Sequence, residues 1–135
     1  GACAGKEPSL PSLTLRSGEQ VWELSPARAS WFDGRTGVEM DAAHPLDPNA
    51  VHTQVPCGEF TLCFDREPDK VTVRRYYFDS QGREQGVFGG ESRRFSVEAG
   101  AAAEGRAGLT AAGIYEIEGE WKEGTVGWTV QASPS

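Results

Sequence analysis

Residues 113–131, GIYEIEGEWKEGTVGWTVQ, constrain the fold most strongly because they have the pattern of a β-hairpin with one buried face. In the first half, Tyr115, Ile117 and Trp121 have one parity and three glutamates have the other, so the two sets point to opposite faces of a strand. After residues 122–124, apolar and polar residues alternate again, and the glycine of this connection suits a three-residue hairpin loop. We predict two adjacent strands that face one core.

Similar short runs occur along the rest of the chain, and we predict strands at residues 13–15, 21–24, 27–32, 37–40, 59–64, 70–78, 87–88 and 94–97. Seventeen glycines, eight prolines and no long amphipathic pattern also favour short strands over helices. About nine strands with turns between them predict an all-β fold, an antiparallel β-sandwich, with a closed barrel as the main alternative.

Two segments interrupt this pattern. Residues 41–56 contain closely spaced prolines, which disfavour an interior strand and predict a crossover loop. Residues 99–112 are mostly alanine and glycine with almost nothing to bury, and we predict a mobile loop there. The size of the chain, 135 residues, is that of one domain at residues 12–132, preceded by a tether at residues 1–11.

The net charge is −7, from 13 basic and 20 acidic residues. This balance argues against binding to phosphate backbones or to anionic membrane surfaces, so we do not expect nucleic acid as a partner. The start of the chain, Gly1-Ala2-Cys3, looks like the cleavage site of a bacterial lipoprotein precursor, in which Cys3 would carry the lipid. A chance cysteine in a flexible tail is the alternative.

Several segments together resemble small, uncharacterised lipoproteins and extracellular domains of Gram-positive, largely clostridial bacteria. They are PSLTLRSG, RASW, VEMDAAHPLD, EFTLCF, EPDKVTVRRYYF and GIYEIEGEWKEGTVGWTV. The resemblance implies an immunoglobulin-like β-sandwich of about 7–9 strands outside the cell, anchored to the membrane through Cys3, and it implies no catalytic activity. The cysteines at 57 and 63 and the length of residues 99–112 depart from this family's pattern.

Acidic and imidazole side chains gather in one place only, at Asp41, His44, Asp47 and His52. Zinc accepts donors of these types, but the spacing matches no metal signature, and a structural role for His44 is the simpler interpretation. We therefore favour neither a metal nor a cofactor.

Catalysis by two carboxylates would need a suitable pair among the acidic residues. The row Glu116, Glu118 and Glu120 on one strand face is more typical of a solvated face that is paired with basic neighbours such as Arg74. No acid, base and nucleophile converge in the sequence, so we predict that the chain is not an enzyme.

A disulfide between Cys57 and Cys63 is favoured by an extracellular setting but opposed by geometry. Six residues of straight strand span about 20 Å, so the bond needs a sharp fold at Gly58. Exposed aromatic residues would make a ligand platform, and the weak candidates are Trp22, Tyr76 and Trp128.

These observations predict a non-catalytic binding or sensory module at the cell surface, with an unknown protein or cell-wall ligand. One alternative is a structural domain whose sheet edge pairs with another protein by strand addition. A second alternative is a carboxylate-based hydrolase.

Overall fold

The computed structural model describes residues 10–35, 37–50, 52–78, 84–88, 91–102 and 104–134, which contain twelve β-strands and no helix. The strands are β1 (Leu13–Ser17), β2 (Gln20–Leu24), β3 (Arg28–Phe32), β4 (Gly37–Met40), β5 (Thr53–Pro56), β6 (Gly58–Phe64), β7 (Lys70–Phe78), β8 (Glu84–Phe88), β9 (Glu91–Ala101), β10 (Arg106–Leu109), β11 (Gly113–Trp121) and β12 (Gly124–Ser133).

The strands form two sheets. The small sheet has the order β10-β6-β1-β2, and the large sheet has the order β4-β3-β12-β11-β7-β9-β8 with β5 added beside β12. All described pairings are antiparallel except that between β5 and β12. This architecture confirms the predicted all-β, antiparallel sandwich.

The core lies between the two sheets and follows the alternation seen in the sequence. Leu13, Leu15 and Phe60 project from the small sheet, and Ile117 and Trp128 project from the large one, each at most 2% exposed. Leu10 also packs in this core, so the packed part of the chain includes at least one residue of the predicted tether. Residues 1–9, with Cys3, lie outside the described residues.

A second, smaller hydrophobic cluster lies on the opposite face of the large sheet. Leu46, Phe95 and Ile114 are buried there, and Tyr76 and Val97 pack against them. Leu46 comes from residues 41–52, the segment between β4 and β5, which we call the covering loop. The covering loop therefore buries part of the outer face, and this explains why Ile114 is buried although it points away from the core between the sheets.

Two strands occur where the sequence predicted loops. β5 lies within the predicted crossover loop and pairs with the end of β12, and its proline is its last residue. β10 lies within the predicted mobile loop and pairs with β6, and β9 also extends into that segment. The prediction of a loop was wrong for residues 106–109, because Ala107 and Leu109 alternate with Arg106 and Gly108 and fill the core. Alanine and glycine have low strand propensity, so this short alternation did not lead to the prediction of a strand.

The β11–β12 hairpin is confirmed, with a shorter loop than predicted. Trp121 pairs with Gly124, so only two residues connect the strands and Gly124 already belongs to β12. Trp31 is 2% exposed and packs edge to face with Trp121, their ring centroids 5.7 Å apart. The hairpin and β3 thus meet through their aromatic side chains.

Alkaline pH should weaken the fold through Tyr115. Its hydroxyl donates a 2.7 Å hydrogen bond to the carbonyl of Ala111, and burial of the phenol raises the pKa of Tyr115 above its ordinary value of 10.0, although the charge of Arg75 acts in the opposite direction. A raised folded pKa means that the folded state holds its proton longer, so its contribution to stability is complete below pH 10 and is lost as pH rises above it.

The test compares Tyr115→Phe with the unchanged protein by urea unfolding between pH 7 and pH 11. Near neutral pH the variant should be less stable by about 1 kcal/mol, the usual net value of one hydrogen bond. This difference should shrink above pH 10. A difference that stays constant over the whole pH range would contradict the role of Tyr115.

Candidate functional site

The most promising ligand site is a groove between the covering loop and the outer face of the large sheet, with a volume of about 460 Å³. We call it the aromatic groove. The covering loop contributes Pro45, Asp47, Pro48 and His52, and the sheet contributes Tyr76, Phe78, Ile114 and Gln131. Among the described residues that line it, none is a lysine or an arginine.

Strand register places the aromatic side chains on one face. Tyr76 is opposite Ile114 on one neighbouring strand and Val97 on the other, and Phe78 follows two residues later on β7, so it has the same parity. Phe78 is 51% exposed, although it is a large apolar residue in a strand. The end of β7 therefore presents an aromatic surface that the covering loop covers only in part.

Hydrogen bonds within the covering loop fix the other wall of the groove. The backbone N–H of Leu46 donates to Nδ1 of His44 over 3.1 Å, and Nε2 of His52 lies 2.7 Å from the carbonyl oxygen of Pro45. The carboxylate of Asp47 accepts a 2.8 Å hydrogen bond from the N–H of Asn49. This short-range bonding is typical of aspartate in a turn, and it fixes the orientation of the carboxylate relative to the covering loop.

His44 also anchors the loop to the sheet. Its ring lies edge to face against Phe95 and Tyr76, with centroid distances of 4.8 and 5.4 Å. The structural role predicted for His44 is consistent with these contacts. Sequence analysis named Asp47, His52 and Tyr76 for different reasons, and the structure brings these three residues to one groove.

The weak metal candidates do not form a binding cluster. Within the part of the chain that the structure describes, no three or more histidine, cysteine or acidic side chains lie close enough to hold a metal ion. Asp41, His44, Asp47 and His52 are all inside that part. Their shared position in the sequence reflects one loop and not one coordination sphere.

The other two aromatic candidates do not line the groove. Trp128 has no exposed surface and lies in the core, so its prediction as a ligand-binding residue was wrong. Trp128 has the same parity as Val126 and Val130, so the alternation that predicts an inward face for this strand already favoured burial of Trp128. Trp22 is half-buried and packs edge to face with Phe60 at 5.5 Å. Phe78, which the sequence analysis missed, is signalled only by its place at the end of an aromatic run.

The possible bond between Cys57 and Cys63 does not form. Cys57 is a free, half-buried thiol between β5 and β6, whereas Cys63 is disulfide-bonded and 5% exposed. Extended backbone after Gly58 separates the two residues along β6, as the strand geometry predicted.

The glutamates of β11 are held by basic side chains. Arg74 lies 3.3 Å from Glu116 and 3.4 Å from Glu118, and Arg28 lies 3.6 Å from Glu116. Pairing with Arg74 is as expected, but the prediction of a solvated face was wrong for Glu116, which is 2% exposed. Its carboxylate lies beside Gly127, where a β-carbon would be in ordinary van der Waals contact with Oε2, at 3.5 Å.

Replacing Arg74 by methionine should lower the free energy of unfolding, because Arg74 pairs with the buried Glu116. Burial lowers the pKa of Arg74, but attraction to Glu118 and Glu116 outweighs it and raises the pKa above its ordinary value, so Arg74 is charged at every pH of interest. Arg74→Met leaves the buried carboxylate of Glu116 with Arg28 alone. We expect a loss of about 2–3 kcal/mol in urea unfolding, somewhat below the range for fully buried pairs because Arg74 is partly exposed.

Lys70→Met is the matched control on the same strand. Lys70 lies 4.0 Å from Glu120, and both side chains are largely exposed, at 65% and 42%. An exposed pair contributes little, so the control should change stability by less than about 1 kcal/mol. Equal losses in the two variants would show that burial of Glu116 does not matter.

Comparison with protein-family models, curated proteins and solved structures finds no match to this chain. A search of the described residues for a helix that could cross a membrane also finds none. Function is therefore inferred from the groove itself.

Proposed function

We propose that this chain is a non-catalytic binding module of the cell surface that takes its ligand in the aromatic groove. The observation that carries the proposal is Phe78, half exposed at an open groove whose lining also includes a carboxylate and an amide. Ligand sites typically combine an apolar, concave lining with a few polar groups that orient the ligand. Large apolar side chains left exposed beside such a groove are typical of interaction surfaces.

A binding role agrees with the way the polar residues are used. Arg74 pairs with Glu116 and Glu118, so these carboxylates are bound to a base and not directed at a cleft. His44 and His52 make hydrogen bonds within the covering loop. These contacts favour structural roles for the residues that would otherwise suggest a hydrolase. The alternative of strand addition at a sheet edge stays a prediction.

Export from the cytoplasm is supported by the disulfide at Cys63, because disulfides persist mainly in oxidising compartments. Anchoring through Cys3 stays a prediction, since that residue lies outside the described ones.

The mass of the protein purified from its native membrane tests the predicted lipidation of Cys3. A lipid adds a diacylglyceryl mass that remains after reduction of disulfides. A protein without this added mass would overturn the anchor.

The test of the binding proposal is a thermal-shift screen with peptidoglycan fragments, glycans, β-lactams, calcium and zinc, with Cys57 blocked in a control sample. A ligand at about one hundred times its dissociation constant adds about 2.7 kcal/mol of stability. For a domain of this size that corresponds to a shift of several degrees.

Two variants locate the binding. Phe78→Ala should abolish the shift, whereas Phe32→Ala should keep it, because Phe32 is 63% exposed but does not line the groove. A shift that survives Phe78→Ala would place the ligand elsewhere and contradict the proposal.

A further inference from the structure

We propose that the aromatic groove recognises an arginine side chain that is presented by an extended segment of a partner protein. This inference rests on the proposed function and names the chemistry of its ligand. It follows from the charge of the groove, from its aromatic surface and from its size.

Charge favours a cationic ligand. Asp47 is one of the residues that line the groove, and the described lining contains no lysine or arginine. The whole chain has a net charge of −7, so its long-range field also attracts cations and repels anions. Asp47 uses one oxygen to accept the N–H of Asn49, and a carboxylate has further acceptor positions for a second donor.

The aromatic surface favours a flat cation. Phe78 is half exposed at the groove, and Tyr76 lies beside it on the same sheet face. A guanidinium group stacks on aromatic rings and also binds carboxylates through two parallel hydrogen bonds, which an ammonium group cannot do. A side chain of the partner that stacks on Phe78 while it pairs with Asp47 would use both features at once.

The chain makes the same type of contact within itself. The guanidinium of Arg75 lies 4.0 Å from the ring centroid of Tyr77, and that of Arg66 lies 4.9 Å from the ring of Trp31. Arg75 also pairs with the carboxylate of Glu98 at 3.1 Å. This fold therefore already contains stacking on an aromatic ring combined with carboxylate pairing, on the face of the large sheet opposite to the groove.

The size of the groove favours a peptide over a single small cation. Its volume of about 460 Å³ is within the range of sites for drug-sized ligands. Pro45 and Pro48 on the covering loop and Ile114 on the sheet extend the apolar lining beyond the position of the charge. Residues that flank the arginine can contact these apolar groups.

The experiment is an NMR titration of the isotope-labelled protein with three blocked tripeptides, acetyl-Ala-X-Ala-amide, in which X is arginine, lysine or citrulline. Citrulline has nearly the shape of arginine without its charge. We expect the arginine peptide to bind about tenfold more tightly than the citrulline peptide, with lysine between them. The shifted resonances should be those of Asp47, Tyr76 and Phe78.

Two variants separate the charge from the stacking surface. Asp47→Asn keeps an acceptor for the N–H of Asn49 and removes the charge, so the preference for arginine over citrulline should fall to less than about twofold. Phe78→Ala should weaken binding of the arginine peptide about tenfold, and Phe32→Ala should leave it unchanged. Circular dichroism confirms that each variant is folded.

Three outcomes would overturn the inference. Equal binding of the arginine and citrulline peptides would exclude charge recognition, and shifts confined to residues outside the groove would exclude the site. Binding of free arginine as tight as that of the peptide would exclude a partner segment. A neutral glycan that binds in the groove, while the arginine peptide does not, would overturn this inference and leave the proposed binding function intact.

Discussion

Replacing Trp128 by alanine is expected to lower the free energy of unfolding by about 3–5 kcal/mol, the range for a buried tryptophan that leaves a cavity. The indole has no exposed surface, and its ring lies 5.8 Å from that of Phe64 and 6.3 Å from that of Trp121. Domains typically have 5–15 kcal/mol of stability, so this one change removes a large fraction. Urea unfolding followed by circular dichroism measures it.

Trp128→Phe is the matched control. The indole Nε1 is buried and has no hydrogen-bond partner among the described residues, so phenylalanine loses no such bond and keeps most of the packing. We expect less than half of the alanine loss. A loss in Trp128→Ala below about 1 kcal/mol would contradict a central role for this side chain between the sheets.

Replacing Gly124 by alanine is expected to lower the free energy of unfolding by about 3 kcal/mol, near the upper end of the usual cost of overpacking. A β-carbon at this position would overlap the carbonyl oxygen of Ser30 and lie 2.9 Å from the Cα of Trp31. Both neighbours are backbone atoms of β3, which pairs with β12 at Gly124. This steric overlap can be relieved only if β3 and β12 move apart, because the overlapping atoms belong to the backbone and no side chain can rotate away.

Gly100→Ala tests whether the effect is steric. Gly100 also lies in a strand of the large sheet, opposite Val73, but a β-carbon there meets no atom within 4 Å. Alanine costs less conformational entropy than glycine, so this variant should be unchanged or slightly more stable. If both variants lose the same stability, strand propensity and not the contact with β3 explains the result.

The structure agrees with the sequence where the pattern is local. In β11 and β12, alternation assigned Tyr115, Ile117 and Val130 to the buried face, and all three are in the core. The same pattern did not identify β5 and β10, because each has only four residues and is formed by pairing with a distant strand. Their backbone hydrogen bonds are made with strands that are distant in the sequence, and the alternation within four residues does not reveal those partners.

The candidate site was predictable only in parts. Asp47 and His52 stood out by residue type and Tyr76 by its aromatic run, but no spacing rule connects residues that are more than twenty positions apart. The groove exists because the covering loop packs across the end of β7, with Leu46 and His44 against Phe95. The exposure of Glu116 was predicted wrongly for a related reason, since its burial accompanies ion pairs with Arg74 and Arg28, which come from other strands.

The sequence by itself determined that this chain forms a two-sheet β-sandwich, and which side chains of its long strands face inward. Those properties follow from a two-residue period, which every strand carries in its own residues. Only the tertiary structure decided which part of the outer sheet face is covered, that Glu116 is buried, and that Asp47 and Phe78 line one groove. Those properties depend on long-range packing of the covering loop and on the arginines that surround Glu116, and the period of a strand contains neither.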